Sequence, residues 1–250
     1  MLNDAWDDDT DAPPPLDGME PTRLSAMKAA AASVRDIQHN LALSGSNVVA
    51  EVLRDAPDFY EWDHYPAGDV YDPVSHSQFY YHAHAPADQD NVRADEHGHF
   101  HTFMRPPGFP PEVAQPIDPD GLPAICPSDG LTHLIAISIN FSGDPIRLFT
   151  TNRWVTDETW YPAADVKRIL PHFNVSHDGP CSQTSAWISN LLMMYGPLIE
   201  LLMDGRDHAV QAQAANQPIQ NVWSDQSLEV TSVADISLQK DIDAILATVP

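Results

Sequence analysis

Five histidines, His82, His84, His97, His99 and His101, crowd into 20 residues of a 250-residue chain. They lie in two segments, SQFYYHAHA and EHGHFHTFM, separated by a polar loop over roughly residues 86 to 95. Within each segment a histidine recurs at every second residue, the period at which side chains share one face of a β-strand. Imidazole binds transition metals through a neutral ring nitrogen, so this spacing predicts a metal site on a β-hairpin. Closing the hairpin opposes His82 to His99 and His84 to His97. Directly opposed Cβ atoms lie ~4.5–5.5 Å apart and same-face neighbours along a strand ~6.5–7 Å apart. Four imidazoles at such corners can converge on one ion at ~2.0–2.1 Å. The same register sets His101 beside Tyr80, with Gln78 further along the row. Phe79, Tyr81, Ala83, Gly98, Phe100 and Thr102 form the packing face. Glu96 belongs to that packing face unless a bulge at Gly98 re-aims it.

All-nitrogen ligation suits iron, copper, nickel or zinc. A structural zinc usually recruits cysteine, and the two cysteines, Cys126 and Cys181, are remote from the hairpin and form no CxxC pair. The expectation is therefore a metal-dependent oxidoreductase with one or two iron or copper ions per chain, acting on a small-molecule substrate or oxygen. In it His82, His84, His97 and His99 hold the metal, His101 is a fifth ligand, and Tyr80 or His101 manages a proton. The alternative enzyme is a zinc-dependent hydrolase, with Glu96 or an aspartate as base toward a metal-bound water. A non-catalytic metal-binding, sensing or carrier protein is the third reading. Glu96, His101 or His133 would complete a second ion. Asp88, Asp90 and Asp95 in the loop are candidates to orient imidazoles, and His172 and His177 could approach from outside. Arg147, Asn152, Arg153 and the run from Thr156 to Trp160 either line the pocket or pair structurally at a strand end.

The charge balance narrows the partners. With 36 acidic against 12 basic residues, net -24, the chain offers no cationic surface for nucleic acid or for an anionic membrane. No run approaches the ~20 apolar residues of a membrane span. MLNDAWDDDTDAPPP lacks the basic and apolar regions of a signal peptide, so a cytoplasmic location with two reduced thiols is expected. No GxSxG, P-loop or dinucleotide fingerprint is present.

The surrounding elements must position the hairpin. Residues 1–21 read as a disordered acidic, proline-rich leader, and 22–250 as one α+β domain. Thr22 or Ser25 caps a helix with a buried stripe of Leu24, Met27, Ala31, Val34, Ile37 and Leu41, leaving His39 exposed. A shorter helix, VVAEVLRDA, follows. Pro66-Ala67-Gly68-Asp69 reads as a turn within an aromatic stretch, 58–73, that either walls a pocket or folds under the sheet. Residues 106–130 are too rich in proline for a regular element, and form a loop suited to a lid or a partner-binding surface. THLIAISIN and IRLFTTNRWV predict two more strands in a second hairpin. SAWISNLLMMYG and LIELLMDG predict apolar helices broken at Gly196-Pro197; a strand near Val230 and a last amphipathic helix close the chain. The expected fold is α+β: an antiparallel sheet of about four to six strands packed by N-terminal and C-terminal helices.

Two resemblances accompany these residues. HAH followed by another histidine-bearing strand resembles the metal-binding HxH of the cupin barrel. That family's glutamate shortly after HxH and its glycine-rich second motif are missing, Asp88 being the only near carboxylate. The stretch from HYPAGDVYDP through LFTTNRWVTDETW, with the helices after it, is similar to an uncharacterised bacterial family of unknown function. That second resemblance covers most of the chain and implies no activity.

Overall fold

The computed structural model describes residues 16, 18–83, 95–113, 116–117, 130–176, 179 and 181–248. Six strands form one antiparallel sheet in chain order: β1 (Tyr65–Tyr71), β2 (Ser77–His82), β3 (Glu96–Met104), β4 (Thr132–Asn140), β5 (Pro145–Thr151) and β6 (Val230–Asp235). With α1 (Pro21–Leu43), α2 (Val48–Leu53), α3 (Arg153–Thr156), α4 (Ala163–Ile169), α5 (Ser182–Met194), α6 (Gly196–Ala214), α7 (Ile219–Val222) and α8 (Leu238–Ala247), this is the expected α+β fold.

Strand patterning decides which face the helices cover. Phe79, Tyr81, Phe100, Ile135, Ile137 and Leu148 share one buried cluster with Met27 and Val34 of α1, Trp187 and Leu191 of α5, and Ile242 of α8. Trp187 sits 6.2 Å from the Phe100 ring, and Ser232 Oγ donates to the Leu202 carbonyl at 2.7 Å, tying β6 to α6. The alternate residues Tyr80, His99, His101, Phe103 and Phe149 occupy the other face and are also buried.

Three local expectations change. Glu20, not Thr22 or Ser25, caps α1: its carboxylate accepts from the Thr22 and Arg23 amides, and Pro21 takes the first helical position, where its missing N–H costs nothing. Residues 66–69 are not a turn between elements but the irregular middle of β1, where the register shifts between Tyr65 and Val70. Proline is tolerated there because β1 is an edge strand. The strand predicted over IRLFTTNRWV stops at Thr151, because Asn152 Oδ1 accepts from the Arg153 amide and starts α3.

Among the described residues no single helix is long and apolar enough to cross a membrane; α5 and α6 together reach the length but are bent by 74°. Residues 1–15, His84, most of the 106–130 loop with Cys126, and His177 lie outside the described residues.

Candidate metal centre

β2 and β3 pair in the predicted register: His82 opposes His99, Tyr80 opposes His101, and Gln78 opposes Phe103. Three imidazoles meet there. His99 Nε2 lies 2.8 Å from His82 Nε2 and 3.0 Å from His101 Nε2, and one nitrogen from each ring falls within 4.8 Å of the other two. His99 and His101 are buried, and His82 is half-buried. This group could hold a metal ion.

Two β-bulges add residues that simple alternation sends to the helix face. In β3 the register shifts between Glu96 and Gly98, so His97 is the extra residue and Glu96 turns to the histidine face. There Glu96 Oε1 accepts from His99 Nδ1 at 2.7 Å, and Oε2 accepts from the Ser138 hydroxyl. In β4 the shift lies between the pairs Thr102–Ile135 and Phe103–His133, so Leu134 is extra and His133 also joins this face. Its Nε2 stands 3.0 Å from His101 Nδ1.

These contacts favour Nε2 as the ligating atom. An ionised Glu96 only accepts, so His99 carries its proton on Nδ1 and its lone pair on Nε2. A proton on His101 Nδ1, donated to His133, leaves the His101 Nε2 lone pair facing the same point. Metal ligation needs neutral imidazole. Burial, with the neighbouring histidines secondary, holds the His101 pKa well below its usual value. Burial lowers His133 to about 3, Arg206 and His99 contributing less.

The four-cornered set drawn from alternation needs correction. His97 does not join the group: the bulge sends its ring to the other face, where Nδ1 lies 2.5 Å from the Tyr81 hydroxyl and the ring stacks 6.0 Å from Phe59. His84 lies outside the described residues. His101, expected as a fifth member, is one of the three that converge. Both its nitrogens are engaged, which leaves it no separate proton-carrying role. Both Glu96 oxygens are bonded too, so Glu96 orients His99 and is not disposed as a base. Tyr80 is buried beside His101, ring centroids 5.2 Å apart; burial and then Asp69 raise its pKa, so the phenol stays protonated. His172 is exposed. Arg147 pairs with Asp235 and Arg153 with Asp157, as structural partners at the strand end.

His64, Asp69 and Ser138 were not foreseen. His64 stacks on Tyr80 at 3.6 Å, nearly parallel, with its Nδ1 3.1 Å from Asp69. It also lines a cavity of about 600 Å³ together with Tyr60, Asp63 and Cys181. The aromatic stretch thus does both things weighed for it. Tyr65 and Val70 are core, while Tyr60 and Trp62 are exposed, and Tyr60 walls the cavity. The only sequence signal for His64 is its place among those aromatics; Ser138, in an apolar run, gives none.

A family model for a domain of unknown function, DUF6969, matches residues 28–236. The chain belongs to that family. No curated protein and no solved structure matches it. The DUF6969 model spans all six strands and every histidine of the centre, so the site lies within the shared domain. The cupin resemblance finds no support in this sheet, a six-stranded meander.

Replacing Glu96 with alanine is expected to weaken metal binding about 10- to 100-fold, the usual effect of losing an outer-shell partner. Glu96→Gln, which can still accept from His99 Nδ1, should recover part of it. Chelator-competition titrations measure both; equal affinities for wild type and Glu96→Ala would remove Glu96 from the site.

Proposed function

We propose that this chain is a metal-dependent oxidoreductase whose centre, His82, His99 and His101, holds one iron or copper ion and acts on a small-molecule substrate or oxygen. One observation carries the reading. One nitrogen from each of His82, His99 and His101 lies within 4.8 Å of the other two, with no cysteine in the group, and an all-imidazole donor set suits iron or copper.

Two features of the surroundings support the same choice. Glu96, one of the bases a zinc hydrolase could use, spends both oxygens on His99 and Ser138. The rings of Phe149 and Tyr80, 5.2 Å from His99 and His101 respectively, exclude water. A redox ion in such a centre would exchange electrons with a bound substrate. The protein's own part is to present three imidazoles, fix them from behind through Glu96 and His133, and keep the Tyr80 phenol protonated.

Elemental analysis of untagged protein, with oxygen-uptake assays after iron or copper reconstitution, tests this. Iron or copper near one per chain is expected. Zinc alone would favour the hydrolase. No metal after reconstitution would overturn both enzymes.

A further inference from the structure

We propose that Glu158 is a positioning residue of the histidine centre: it pins the β4 bulge that turns His133 beneath His101. The inference extends the metal reading, although its first readout does not depend on a metal.

A straight β4 would place these residues differently. From the pairs His101–Ala136 and Thr102–Ile135, regular pairing would next oppose Phe103 to Leu134. His133 would then face the helices and Leu134 the imidazoles. The bulge reverses this, but a bulge breaks the hydrogen-bond ladder and leaves main-chain groups in need of partners. Two side chains supply them. The Thr102 hydroxyl donates to the Ile135 carbonyl at 2.7 Å and accepts from its amide at 3.2 Å. Glu158 Oε2 accepts the His133 amide at 3.0 Å.

Glu158 is itself firmly held. It follows α3, and next to it the Thr159 amide donates to the Leu131 carbonyl at 2.7 Å while the Thr132 hydroxyl donates to the Thr159 carbonyl at 3.2 Å. The carboxyl is wholly buried, and its Oε1 has no partner. Arg206, stacked 4.0 Å over Trp160, pairs instead with Asp207 and the Tyr161 carbonyl, leaving its Nη1 unpartnered. An unmatched buried carboxyl is costly to folding. Its one hydrogen bond goes to the main chain of the residue that backs His101. That pattern fits a group placed for what it holds, not for stability.

Three variants of the full chain test this. Glu158→Met keeps the volume and removes the acceptor, Glu158→Asp withdraws it by one methylene, and Glu158→Gln retains an oxygen for the His133 amide. In metal-free protein, long-range proton–nitrogen spectra should show displaced His101 and His133 ring signals in the Met and Asp variants and near-native ones in Gln. Cobalt(II) titration should give about 10- to 100-fold weaker binding for Met and Asp, with altered ligand-field bands, and recovery in Gln. A purely structural role would lower stability without moving these signals; Glu158→Met is expected to be at least as stable as wild type. Native ring signals in a folded Met or Asp variant would overturn the proposal. A wild type that binds no cobalt, iron or copper would overturn the metal reading alone, because the ring signals judge Glu158 independently.

Discussion

Replacing His99 with alanine is expected to lower affinity for iron, copper or cobalt by more than about 100-fold, beyond the range for outer-shell losses. His99 Nε2 is the nitrogen that both His82 and His101 approach, so its removal takes both of these short contacts from the group. His97→Ala, two residues away, should bind metal as wild type does, because the β3 bulge has turned that ring to Tyr81 and Phe59. Alternation alone predicts equal losses for the two. Isothermal titration of both variants decides between the straight strand and the bulged one, and a matching loss in His97→Ala would refute the bulged arrangement.

The metal-free protein should lose stability on mild acidification, and the sign follows from three buried groups. His101 and His133 have folded pKa values far below the ordinary ~6.5 of an unfolded histidine. Below that pH the unfolded chain binds two protons that the folded chain refuses. Burial raises Glu158 to about 7, against the attraction of Arg206. Between that value and the ordinary carboxylate range near ~4.3, the folded chain therefore holds one extra proton. The two histidines outweigh the one carboxyl, and His97, also lowered by burial, acts in the same direction, so stability should fall as the pH drops from about 6.5 to 4.5. Glu158→Gln removes the opposing group and should steepen that fall. Bound metal should suppress the loss by keeping protons off the imidazoles. Urea midpoints across this range provide the measurement; a flat profile in metal-free protein would mean that the two histidines are not held neutral.

The parts of the site that local periodicity governs were legible in the sequence. Alternation and loop length together set the β2–β3 register, and the opposition of His82 to His99 and Tyr80 to His101 followed. The bulges were not equally legible. Gly98 is a partial signal: a Cβ there would fall on the His82 carbonyl and the Tyr81 hydroxyl, and glycine inside a strand marks a close approach or a bulge. Nothing comparable marks Leu134, because THLIAISIN reads as one apolar run with either residue facing in. Its bulge is stabilised by Thr102 and Glu158, 32 residues before it and 24 after it, and no local pattern carries contacts at that distance. The turn expected at 66–69 failed for a related reason. Turn residues do interrupt β1, but pairing with β2 overrides them.

The sheet's order has a bearing on synthesis. Strands in a meander pair with their immediate predecessors, so β1 to β4 can assemble in the sequence in which they leave the ribosome. His82, His99, His101 and His133 have all been made before the chain reaches α5 at Ser182. The imidazole cluster can therefore be assembled on the nascent chain while the sheet's helical cover is still incomplete, and Glu158 arrives in between. An ion captured at that stage would meet the ligands before α5 packs on the sheet.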